Sequence, residues 1–134
     1  MITIPWKFRR QRPERNGSVV VQVSELQLGP LRHVPRFLID SLALRREVLQ
    51  TNGAVGISIR ANPLRRDFWT LSAWEDEQSL RQFTRSKAHR KVMVRYGPHM
   101  RGSHFHHWFA TEAEALPPRW EQSLRILEED KQSD

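Results

Sequence analysis

His89 is the residue best placed to do chemistry in this 134-residue chain. A neutral imidazole can ligate a metal or move a proton near pH 7. It stands in the run Phe68-Trp69-Thr70-Leu71-Ser72-Ala73-Trp74-Glu75-Asp76-Glu77, continued through Leu80, Phe83 and Ser86-Lys87-Ala88-His89. The first part is rich in aromatic and β-favouring residues and reads as a strand ending at Trp74. An acidic helix start follows at once, so strand and helix are coupled without a long loop. An indole at Trp74 and an imidazole at His89 can then share one cavity. Trp69 and Trp74 are five apart on a strand and point to opposite sides, so only one of them looks into a cleft between sheet and helices. A flat aromatic wall suits a polycyclic ligand or a porphyrin, although ordinary core packing is the plainer account of each tryptophan taken alone. Phe37 and Phe83, on the apolar faces of the two main helices, are the further lining candidates.

A second histidine group stands at His104, His106 and His107. His104 and His106 are two apart on an expected strand and share a face, with His106 the candidate for ligand contact. Paired strand histidines can hold zinc, copper or non-haem iron, but such a site needs a third ligand. No Asp or Glu stands in that strand before Glu112. No metal site is assigned, and solvated imidazoles at a crowded strand end are the plainer account.

Several chemistries have no motif to support them. There is no Gly-rich dinucleotide loop, Walker sequence, Gly-x-Ser-x-Gly elbow or His-Glu-x-x-His. The absence of cysteine removes disulfides, thiolate metal sites and cysteine nucleophiles. No apolar run approaches the roughly 20 residues of a membrane-crossing helix, and the N-terminus lacks the apolar stretch of a signal peptide. A soluble, cytoplasmic protein is the expectation. The net charge is +7, carried mostly by scattered arginines. Only Arg9, Arg10, Arg12 and Arg15 cluster, so nucleic acid is not an expected partner.

Residues 1–17 carry two prolines, that basic cluster, Trp6 and Phe8. The segment reads as a basic arm ahead of a single domain spanning 18–134. Ser18 to Leu28 is dense in valine and reads as a strand, stopped by Gly29-Pro30. The stripe Val34, Phe37, Leu38, Ser41, Leu42, Arg45, Leu49 predicts a helix over about 34–51, with Pro35 in its first turn and Asn52-Gly53 as its stop. Val55, Ile57 and Ile59 alternate with Gly56, Ser58 and Arg60 in a second strand over 54–61. A short turn at Asn62-Pro63 leads to the third strand, 66–74, which should pair with the second as an antiparallel hairpin. Asp76 can cap the next helix, which carries Leu80 and Phe83, is interrupted near Ser86–Arg90 and ends at Gly97-Pro98. A strand over 103–111 and a short helix over 120–129 complete the chain.

Strand, helix, strand, strand, helix, strand is the ferredoxin-like order, βαββαβ. The class is α+β, with four antiparallel strands carrying two helices on one face. Strands apolar on both sides would leave the other face greasy, and a second copy packed sheet to sheet would cover it.

The Phe68–Glu77 run with Leu80, Phe83 and Ser86–His89 resembles the dimeric α+β barrel superfamily. Antibiotic-biosynthesis-monooxygenase-like proteins are the nearest pattern, and spheroidene-monooxygenase-like proteins are also similar over this stretch. The resemblance spans about residues 18–111. It implies a homodimer and a pocket between sheet and helices. It also implies a monooxygenase-type enzyme that acts without a dissociable cofactor on an aromatic or electron-rich small molecule. His89 would then shuttle a proton and Trp74 would shape the pocket. Haem-binding members of the superfamily imply an alternative, haem with His89 as its ligand, although the histidine of haem-degrading members lies further beyond the strand. Members without a known reaction imply another, a non-catalytic small-molecule-binding or stress-linked module.

Overall fold

The computed structural model describes residues 1–10 and 17–133. Its core is the expected split unit. β2 (Ser18–Leu28) leads to α1 (Val34–Gln50), then β3 (Ala54–Asn62) and β4 (Asp67–Trp74), α2 (Glu77–Thr84), α3 (Lys87–Tyr96) and β5 (Met100–Thr111). Gly53 ends the α1 connection at φ +91°, the left-handed geometry that favours glycine. Asp76 accepts a hydrogen bond from Ser79 N at 2.7 Å and caps α2. The interruption expected near Ser86 is real and tight. Ser86 Oγ accepts from His89 N at 3.3 Å and starts α3 two residues after α2 ends.

The sheet has five strands, not four, in the order β1-β3-β4-β2-β5, with every neighbour antiparallel. The extra strand, β1 (Ile2–Phe8), comes from the segment expected to be an arm. Its alternating apolar residues Ile2, Ile4 and Trp6 give it a strand's pattern, and it pairs along β3. Gly56 permits this pairing, because a Cβ there would lie 2.5 Å from the Trp6 ring. The arginines at 12 and 15 lie outside the described residues.

Each central strand sends alternate residues to two separate cores. On the side of α1, α2 and α3 lie Val20, Ile57, Ile59 and Trp74 with Val48, Leu80 and Phe83. Next to them Leu26, Phe37, Phe68 and Tyr96 form a second cluster. On the opposite side lie Val19, Val21, Val23, Leu71 and Ala73. Val55 joins this second side rather than that of Ile57. The β3–β4 register shifts between Ala54 and Gly56, and such a bulge reverses the strand's phase.

That second side corrects the expectation of an open face awaiting another copy. The chain covers it with its own C-terminus. After α4 (Glu112–Ala115), α5 (Trp120–Gln132) lies across β2 and β5. Leu127 is 0 % exposed among the valines. Trp120 Nε1 donates to Ser58 Oγ at 2.9 Å, and that hydroxyl donates to Ile4 O at 2.6 Å. Lys131 Nζ lies 2.8 Å from Glu25 Oε1. A helix that buries leucine and ties down its own polar groups relieves much of the apolar surface that would otherwise call for a partner. No described helix is long and apolar enough to cross a membrane.

Candidate active site

A cavity of about 80 Å³ lies between the middle of the sheet and the three helices on its first side. The α2–α3 break builds its end wall. Because Ser86 starts a new helix, His89 falls in the first turn of α3, where its ring meets Phe83 edge-on with centroids 5.6 Å apart. Phe83 in turn lies 5.3 Å from Trp74. Trp74 is 1 % exposed, and its Nε1 donates to Ser72 Oγ at 3.0 Å. Phe37 closes the cavity from α1 and packs against Phe68 and Tyr96.

The floor is polar. Register sets Gln22 opposite Ser72 and Ser24 opposite Thr70. All four line the cavity. Ser24 and Thr70 are hydrogen-bonded to each other through their hydroxyls. Phe105 sits beside Ser24 on the edge strand and remains 45 % exposed at the cavity's rim.

Two nitrogens at this cavity are buried without a hydrogen-bond partner: His89 Nδ1 and Arg45 Nε. Buried polar groups are almost always paired, so two orphans at one cavity mark a place where a ligand's atoms would be at home. Burial pushes the His89 pKa below its ordinary value, and hydrogen bonding with the Thr84 backbone only partly opposes this. The ring is therefore neutral at pH 7 and able to accept a proton. Tyr96, the chain's only tyrosine, is occupied elsewhere. Its hydroxyl donates to Asp40 Oδ2 at 2.5 Å, and burial together with that carboxylate pushes its pKa up to about 12.

The structure thus gathers four of the six expected site residues, His89, Trp74, Phe37 and Phe83, around one cavity. It places the other two on the far side of the sheet. Trp69 Nε1 donates to Glu25 Oε2 at 3.1 Å, and His106 Nδ1 lies 3.2 Å from Asp130 Oδ1. His104 Nε2 meets the other oxygen of Asp130 at 2.7 Å. Among the described residues no three His, Asp or Glu side chains converge as a metal set. Nor does haem fit the residues as they stand. His89 has a free nitrogen, but about 80 Å³ is far below the ~300–1,000 Å³ of pockets for drug-sized ligands, and a porphyrin is no smaller than those.

Sequence reasoning missed Gln22, Ser24, Thr70, Ser72 and Arg45. A signal was present. Val20-Gln22-Ser24-Leu26 and Phe68-Thr70-Ser72-Trp74 each interrupt an apolar row with two polar residues. Only the pairing register reveals that the two interruptions coincide.

No protein-family model matches the chain, and no curated protein matches it in sequence. Solved structures do match in fold. A protein from Nitrosomonas europaea, provisionally named an antibiotic biosynthesis monooxygenase, superposes with a TM-score of 0.61 at 8% identity, covering 80% of this chain and 100% of its own. A protein of the same provisional name from Caulobacter crescentus CB15 gives 0.59 at 17% identity, covering 69% and 89%. A conserved protein from Methanosarcina mazei Go1 gives 0.60 at 20% identity, covering 67% and 90%. At such identities what is shared is the fold. The chain has the ferredoxin-like α+β fold of these solved structures, the fold that the Phe68–His89 resemblance implied.

Proposed function

We propose that the protein is a small-molecule oxygenase-like enzyme whose site is the cavity between His89, Trp74 and the Gln22–Ser24–Thr70–Ser72 floor. The observation that carries this reading is the buried, unpartnered His89 Nδ1 beside a cavity with polar groups at its base. A neutral imidazole takes a proton from an acidic O–H or C–H of the substrate. Hydroxyl and amide donors on the floor hold the resulting oxyanion. The electron-rich anion then reduces dioxygen. One oxygen atom enters the substrate and the other leaves as water, so that a CH₂ and O₂ become C=O and H₂O without an external reductant.

The cavity sets the size of the substrate. It is smaller than the engineered cavities of about 150 Å³ that take up benzene, so the fitting molecule is compact. The same smallness favours a second reading, a binding module without turnover. Oxygen uptake separates the two. Short-chain enols and enediols, smaller than benzene, are offered to the purified protein in chelator-treated buffer, and catalysed uptake of one O₂ per product is expected for at least one of them. Uptake no faster than in protein-free buffer across the panel would leave only the binding module. The haem alternative is not carried forward, because the cavity lacks room. Hemin titration is expected to give no Soret band that depends on His89.

A cytoplasmic homodimer belongs to the same proposal. With α5 across the second face, a second copy there meets that helix and the sheet's flanks rather than bare strands. Sedimentation at working concentration tests the association, and a mass of one protomer would contradict it.

A further inference from the structure

The side chains around the cavity carry an imbalance of charge. Arg45 lines it from α1, and no Asp or Glu lines it at all. Arg45 Nε is buried and has no hydrogen-bond partner, although acidic residues elsewhere on the helices do find arginines. Asp40 pairs with Arg95 at 2.9 Å and Glu77 with Arg81 at 3.6 Å. A buried Nε–H left open costs free energy unless something accepts from it. The polar groups within reach of the cavity are mostly hydroxyls, one amide and one imidazole, so an anion entering it would meet no like charge.

From this geometry we propose that the cavity selects a compact carboxylate carrying a short apolar stem, with Arg45 as the residue that recognises the carboxylate. The Nε and one Nη of a guanidinium present two parallel N–H donors along one edge, and these match the two oxygens of a carboxylate. The apolar stem would lie against Trp74, Phe83 and Ile57, which bare inorganic phosphate or sulfate could not use. The size of the cavity limits the stem to a few carbon atoms. The inference rests on the cavity being the ligand site and not on its oxygen chemistry, so it can be tested without turnover.

Met93 lines the cavity and is one of only three methionines, which makes its ¹³C-labelled methyl a local probe. Acetate and propionate are titrated against acetamide and propionamide, their neutral counterparts of nearly equal shape. The acids are expected to shift the Met93 methyl saturably and to bind about tenfold or more tighter than the amides, a difference of about 1.4 kcal/mol. Arg45→Gln should abolish that preference, and Arg46→Gln, at an exposed neighbour on the same helix, should keep it. If Arg45→Gln does not fold, Arg45→Lys takes its place. It keeps the charge, loses the paired edge and should weaken acetate several-fold. Four results would overturn the proposal: equal binding of acids and amides, no saturable shift with either acid, tighter binding of phosphate than acetate, or undiminished acid preference in the Arg45 variant that folds. A failure of oxygen uptake with intact acid selectivity would instead sink only the oxygenase reading.

Discussion

The two sides of the sheet are built from the same strands and end in opposite states. Under α5, nearly every buried polar group has a partner. Trp120 donates to Ser58, Trp69 to Glu25, and Asp130 takes both His104 and His106. Among the polar groups described there, only Trp6 Nε1 lacks one. Under α1–α3 the aromatic packing is as tight around Trp74, yet a cavity remains and two buried nitrogens of residues lining it are unmatched. A side chain set that closes on itself serves stability. A set that stays open at this cost is the candidate place for a ligand.

The comparison breaks most sharply at two histidines. His89→Gln should lower turnover about 10²–10⁴-fold, the usual contribution of a positioned base, whereas His106→Gln should change it by no more than a few-fold. Equal losses would erase the distinction between the sides. Leu127→Ala, next in size, should cost about 2–5 kcal/mol in urea unfolding, because it empties a fully buried site under α5. Affinity for the cavity's ligand should survive in the folded fraction.

Lys131→Met removes the ammonium beside buried Glu25 and should cost about 1–2 kcal/mol. This is less than for a fully buried pair, because Lys131 keeps some contact with water. Replacing Ser24 and Thr70 together by Ala and Val should leave stability nearly unchanged, since both partners of one hydrogen bond become apolar at once. Calorimetric ligand binding should nevertheless weaken.

The pH dependence is the smallest effect. Burial lowers the His89 pKa, and burial with the neighbouring His99 and Arg32 lowers that of His33. Below the ordinary imidazole value of 6.5 the unfolded chain therefore binds more protons than the folded one. Stability should fall as pH drops from there through the lowered folded values. His89→Phe should flatten part of that slope, and an unchanged slope would mean that His89 is not desolvated.

The order of elements was legible because each has a local cause. Examples are the valine run of β2, the Pro35 start and Gly53 stop of α1, and the Asp76 cap of α2. The pairing of Trp74 with His89 followed from the short link between β4 and the helices. What escaped was non-local. The role of α5 depends on Leu127 meeting Val21 and Val23 across a long sequence separation, and nothing in Trp120–Gln132 alone says which surface it will cover. Trp69 and His106 looked like site residues because their types suit a site, but strand phase sends them to the α5 side. Arg45 fell on the stripe that predicted α1, but only the placement of α1 on the sheet shows that it lines a cavity.

The five tryptophans allow the most direct test. Trp74 alone belongs to the cavity side, and Trp6, Trp69, Trp108 and Trp120 pack on the α5 side. In a ¹⁵N spectrum of the indole N–H groups, titration with propionate should move the Trp74 signal saturably and leave the other four in place. Saturable movement of those four with Trp74 silent would put the binding site under α5 and contradict the account.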